Sequence, residues 1–235
     1  MSISTPPPPA PQKKRGLGCL GCGCLILVLI IIIIVALTGG AGYFTYKKAL
    51  AVTSPTPADL PTVATTDNDY TAVKQKLADF NHDVKNHQAA TLQLSADEIN
   101  TLLARDPDAI KNNLHGFVSL TGQEGRLQAS MPLDALSQGL VKGRYVNLDL
   151  TFEVHFDATT HSVNLIAHAL KFGDTTYLGP DAPDPKAAQA VVNAYTPILN
   201  QQFNAGIRKN SDTAALLDQT RSIEIQNGQL VIETQ

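Results

Sequence analysis

The chain has 235 residues, a net charge of −3, three cysteines and no tryptophan, a length that accommodates one or two domains. The charge is unevenly placed: Lys13, Lys14, Arg15, Lys47 and Lys48 precede Ala49, whereas none of the 21 acidic residues precedes Asp59. The larger, acidic part argues against nucleic acid and anionic lipid head groups as partners, and it has no thiol, because Cys19, Cys22 and Cys24 all lie upstream.

Residues 1–15 form a cytoplasmic tail, with Pro6 to Pro9 consecutive and Pro11 following, that ends in a basic cluster. Residues 16–46 read as a transmembrane helix. No charge occurs from Leu17 to Phe44, and Leu25 to Leu37 is the run LILVLIIIIIVAL. A hydrocarbon core ~30 Å thick needs only ~20 helical residues. Lipid forces even β-branched isoleucine into a helix, since every backbone group must be satisfied internally. Basic residues flank both ends, but none occurs from Ala49 to Val73, which orients the N-terminus inside and the larger part outside a bacterial inner membrane.

The competing reading of this segment is a cleaved secretory signal, with a mature chain starting near Ala41 to Tyr43. The uncharged GLGCLGCGC stretch before the apolar run makes the whole too long for that pattern. The cysteines precede the apolar run, which is the wrong order for a lipoprotein signal. They read as small residues that let helices approach, with metal or acyl attachment the alternative.

Residues 47–68 are rich in Thr, Pro, Ala and Asp and read as a stalk, leaving 69–235 as an extracytoplasmic domain. Tyr70, Val73, Leu77, Phe80 and Val84 recur at helical spacing, predicting an amphipathic helix over 69–86 that either docks on the domain or pairs with a second copy. A short strand over Thr91 to Leu94 runs into the capping box Ser95-Ala96-Asp97-Glu98, which opens a helix with Ile99, Leu102 and Leu103 inward. A further helical turn spans Asp108 to Asn113.

Phe117 to Leu120 and Leu127 to Met131 flank the turn Gly122 to Gly125 as a hairpin does. In Tyr145 to Phe156 six apolar residues alternate with five polar ones, the pattern of a strand with one buried and one wet face. The turn Asp157 to His161 leads into Ser162 to Phe172, whose mixed faces predict fuller cover or a bulge near Ala167.

Asp184-Pro185 opens a long helix to about Lys209, with Ala188, Val191, Val192, Tyr195, Ile198, Leu199, Phe203 and Ile207 on its apolar face and a kink at Pro197. Asn227-Gly228 joins the final hairpin, with Ile223, Ile225, Leu230 and Ile232 inward. Two or three helices and six or seven strands give an α+β domain, an antiparallel sheet packed against the long kinked helix.

No catalytic, cofactor-binding or metal-ligating residue is assigned. There is no G-x-S-x-G elbow, no H-E-x-x-H, no phosphate-cradling glycine loop and no basic patch. His155 and His161 could approach across their hairpin, yet without fitting acidic or cysteine ligands the pair reads as a solvated face. Asp97 with Glu98, and Asp181 with Asp184, are explained by helix starts.

SADEINTLLA at Ser95, GRYVNLDLTFEV at Gly143 and IEIQNGQLVIET at Ile223, together with the anchor, distantly resemble bacterial single-pass membrane-anchored domain proteins of the YpmS type. That resemblance implies a layout and no catalytic residues. The function expected is a non-catalytic interaction module at the cell envelope, engaging a protein partner or a second copy of itself. The alternative is a carrier or sensor of an apolar, lipid-like ligand held between sheet and helix, and an enzyme ranks third.

Overall fold

The structure, a computed structural model, describes residues 53–135 and 143–235. The predicted tail and the predicted anchor over 16–46 lie outside the described residues. No helix among the described residues is long and apolar enough to cross a membrane.

In chain order the elements are α1 (Asp67–Lys85), β1 (Thr91–Ser95), α2 (Ala96–Ala104), α3 (Pro107–Lys111), β2 (His115–Thr121) and β3 (Glu124–Pro132). After a 3₁₀ turn at Leu133–Ala135 come β4 (Tyr145–Asp157), β5 (Ser162–Phe172), β6 (Thr175–Leu178), α4 (Pro185–Arg208), α5 (Ser211–Gln219), β7 (Thr220–Gln226) and β8 (Gln229–Thr234). The α+β class is as expected, with every strand pair antiparallel.

The single sheet expected from sequence is two. One has the order β2-β3-β4-β5-β6, the other β1-β8-β7. The residues between β1 and β7 build the larger sheet, so no local pattern announces that Leu92 pairs with Ile232. The elements β6 and α5 were also unforeseen.

Alternation along β4 does what its sequence dictates. Val146, Leu148 and Leu150 are buried on the inner face, while Phe152, Val154 and Phe156 continue it with partial burial. That face is covered by the second sheet, whose Leu92 and Leu94 are buried and whose Ile223, Leu230 and Ile232 pack against the same core.

The two sheets approach closely at Gly125. A Cβ there would lie 2.8 Å from Cζ of Phe152 and 3.1 Å from Cδ1 of Ile225. The β7–β8 turn uses Asn227 and Gly228 at φ 53° and 74°, as a two-residue hairpin requires. Gly228 N–H donates to the carbonyl of Gly122 at 3.1 Å, clasping this turn to the β2–β3 turn. Val231, on the opposite face from Leu230 and Ile232, is also buried.

The mixed faces of β5 come from a bulge. Thr151 pairs with Ala169 and Phe152 with Ala167, leaving His168 as the extra residue. Beyond the bulge Leu170 and Phe172 return inward, and Ile166 is left 43% exposed on the outer side.

The long helix α4 carries Pro197 in its interior and packs along β5 and β6. Phe203 and Ile207 are buried, but Ile198, expected inward, is 46% exposed. Ile198 flanks the stripe that runs from Ala188 and Val192 to Phe203 and Ile207. The side chains of Val191, Tyr195 and Leu199 lie outside the described residues. Helix α1 docks on the domain: Val73, Leu77, Phe80 and Val84 are all buried. Capping boxes open both α1, with Thr66 and Asp69, and α2, with Ser95 and Glu98.

Candidate functional site

Carboxamides occupy part of the edges of the larger sheet. Val118 of β2 donates its N–H to Oδ1 of Asn100 at 2.7 Å and accepts from Nδ2 of Asn100 at 2.8 Å. On the other side β6 covers only the end of β5, and α4 supplies the rest. Asn204 exchanges two hydrogen bonds of 2.8 Å with the backbone of Val163, and Asn200 does the same for Leu165 at 3.1 and 3.3 Å. A strand edge is a template for further strands, and these amides occupy it. The wet face of the larger sheet is open to solvent at Glu124, Arg126, His155, Ile166 and His168.

One end of that outer face is already engaged. Residues 53–66, expected as part of a stalk, contain no helix or named strand, yet several of them are bonded to the sheet. Ser54 and Tyr145 exchange two backbone hydrogen bonds of 2.8 Å. Arg144 donates to the hydroxyl and carbonyl of Thr53, each at 2.6 Å. Ala58 N–H donates to Asn147 Oδ1 at 3.0 Å, and Asn147 Nδ2 donates to the carbonyl of Thr56 at 3.0 Å. Ser130, only 1% exposed, donates to the same Asn147 oxygen at 2.8 Å.

About 20 Å further along β4 lies a cluster of carboxylates and imidazoles. His155 Nε2 donates to Glu153 Oε2 at 3.1 Å, and His168 Nε2 stands 3.3 Å from Glu153 Oε1. One donor atom from each of Glu124, Glu153 and His168 falls within 4.8 Å of the others. The bond from His155 chiefly holds the Glu153 carboxyl below its ordinary value, outweighing slight desolvation, and His168 adds to it. Arg126, a neighbour on the same face, is committed to Asp149 through two bonds of 2.8 and 2.6 Å.

His155 and His161 do not meet. Successive strand residues point to opposite faces, and His161 packs its ring edge-on against Phe156, with Nδ1 3.2 Å from the carbonyl of Leu217. His82 and His115 are tied locally to Asn86 and Asn113. Glu98 serves its cap and an ion pair with Lys76 at 2.7 Å, as a helix-start role requires. Glu124 and His168 escaped the sequence reading. Finding them needs the β3–β4 register and the position of the bulge together.

A cleft of about 490 Å³ opens between residues 62–64, α1, α2 and β2. Its lining mixes Val63, Val73 and Phe117 with Asp69, Glu98 and Asn100. It is not the sheet–helix space in which an apolar ligand was expected. Comparison of the chain with family models, curated proteins and solved structures gives no match.

Proposed function

We propose that the chain is a single-pass protein of a bacterial inner membrane, with its N-terminus inside, that presents a non-catalytic binding module outside. The outer face of the five-stranded sheet is its binding surface. The apolar run over 16–46, the direction of flanking charge and the layout resembling YpmS-type proteins support the anchor. Two other surfaces considered for partner capture are already used: the apolar stripe of α1 is buried, and carboxamides take the edges at Val118, Val163 and Leu165.

The observation that carries this reading is the fastening of Thr53 to Ala58 onto one end of the outer face. Only residues 47–52 separate that attachment from the expected span, a reach of at most ~25 Å. A partner on the outer face is thereby kept within that reach of the bilayer.

The test has two arms. Alkaline carbonate should leave the full-length chain in the membrane pellet, and release into the supernatant would remove the anchor. A photo-crosslinking residue in place of Thr151 should capture a partner in intact membranes, whereas the same residue in place of Arg221 on β7 should not. Absence of any adduct at Thr151 would overturn the assignment of the binding face.

A further inference from the structure

We propose that Glu124, Glu153 and His168 form a surface site for a divalent transition-metal ion of the zinc class, with His155 positioning Glu153. Each of three neighbouring strands delivers one ligand. Gly125 pairs with Phe152, so continuing the β3–β4 register by one residue sets Glu124 opposite Glu153. Two carboxylates directly opposed across a ladder repel one another. Among the described residues neither is paired with a lysine or arginine, and Arg126 is committed to Asp149. A cation between the two carboxylates removes the repulsion.

The third ligand is present on this face because β5 is bulged. His168 is the residue left over between Ala167 and Ala169, and its Nε2 stands 3.3 Å from Glu153 Oε1. The bond from His155 occupies the other oxygen, Oε2. Oε1 is therefore the atom turned toward His168, and His155 acts as the orienting partner that metal-binding groups commonly have.

Tetrahedral ligands at ~2.1 Å from an ion sit about 3.4 Å from one another. Donors already within 4.8 Å of one another stand close to that spacing. Mixed oxygen and imidazole donors favour zinc, copper or nickel over calcium or magnesium, which take all-oxygen shells. A fourth position remains open to water or to a group on a partner.

The experiment uses the full-length chain in detergent, carrying Cys19→Ser, Cys22→Ser and Cys24→Ser so that no thiol competes for the ion, without a histidine tag and stripped with chelator, titrated with Zn²⁺ by calorimetry and with Co²⁺ by visible absorption. One equivalent should bind, with tetrahedral cobalt bands. Binding should weaken about 10-fold or more in His168→Ala and in Glu153→Gln, and stay unchanged in His82→Ala. Circular dichroism of each variant separates loss of a ligand from loss of fold, and Glu124→Gln supplies an independent variant on a different strand. Equal zinc binding by wild type, His168→Ala and Glu124→Gln would overturn the site. So would no binding at millimolar zinc, which would leave the histidines as simple charge partners of Glu153.

Discussion

Asn100 and Val118, 18 residues apart, are joined by a reciprocal pair of hydrogen bonds, the carboxamide of one meeting both backbone groups of the other at 2.7 and 2.8 Å. Asn100 is only 1% exposed, so neither partner has water as a substitute. Helix α2 thus acts as an extra strand for one residue of β2, and Asn204 of α4 repeats the device at Val163.

Removing that amide should be costly. Asn100→Ala strands a buried N–H and a buried carbonyl and is expected to lower stability by about 3 kcal/mol, read as a shifted urea midpoint. Amide exchange at Val118 should accelerate in parallel. An unchanged midpoint would mean that water reaches this edge.

Gly125 should tolerate no side chain. With Cζ of Phe152 at 2.8 Å from the added Cβ, Gly125→Ala is expected to cost about 2 kcal/mol by overpacking the contact between the sheets. Phe152→Leu shortens the crowding ring, so the double variant should be more stable than the sum of the single effects predicts.

Acid should weaken the fold through the helix starts. Partial burial works to raise the Glu98 carboxyl, but Lys76 and the N–H and hydroxyl of Ser95 together hold it below its ordinary value of 4.5. Asp69 is lowered by the backbone N–H and then the hydroxyl of Thr66. A carboxyl depressed in the folded state contributes stability above its unfolded value and loses it as pH falls through the folded one. Stability should therefore decline below pH 4.5. Glu98→Gln keeps the capping box but should show a smaller loss between about pH 6 and about pH 3 in urea titrations.

The fastening of residues 53–58 should be separable from global stability. Ala58→Pro removes the N–H that donates to Asn147 and Ser130 while leaving the bond between those two side chains and the β-ladder intact. Thermolysin should then cut between 53 and 60 faster, with little change in the unfolding midpoint, since this is a local opening. Trypsin would miss the effect, because no lysine or arginine occurs from Ala49 to Val73.

Periodicity and caps made much of the fold legible. The alternation in Tyr145 to Phe156, the box at Ser95, the Asn-Gly turn at Asn227 and the irregularity near Ala167 are short-range signals, and each has its counterpart in the structure. The division into two sheets was not legible, because β1 pairs with a strand more than 130 residues later through side chains that any strand could carry. The cluster on the outer face failed for a related reason. Glu124, Glu153 and His168 share no spacing, and only the register of three strands plus one inserted residue brings them together. His161 misled because a turn residue has no face until the fold assigns one.

The placement of β8 between β1 and β7 has a consequence for the order in which the molecule assembles. Leu92 and Leu94 cannot find Ile232 and Leu230 until the chain as far as β8 has emerged from the ribosome. Cooperative closure of the small sheet therefore waits for its last strand, slowed by the entropy of a loop spanning most of the domain. Until then the apolar side of β4 stands bare along the rows that β7 will later cover, and the nascent chain is at its most prone to associate with its neighbours.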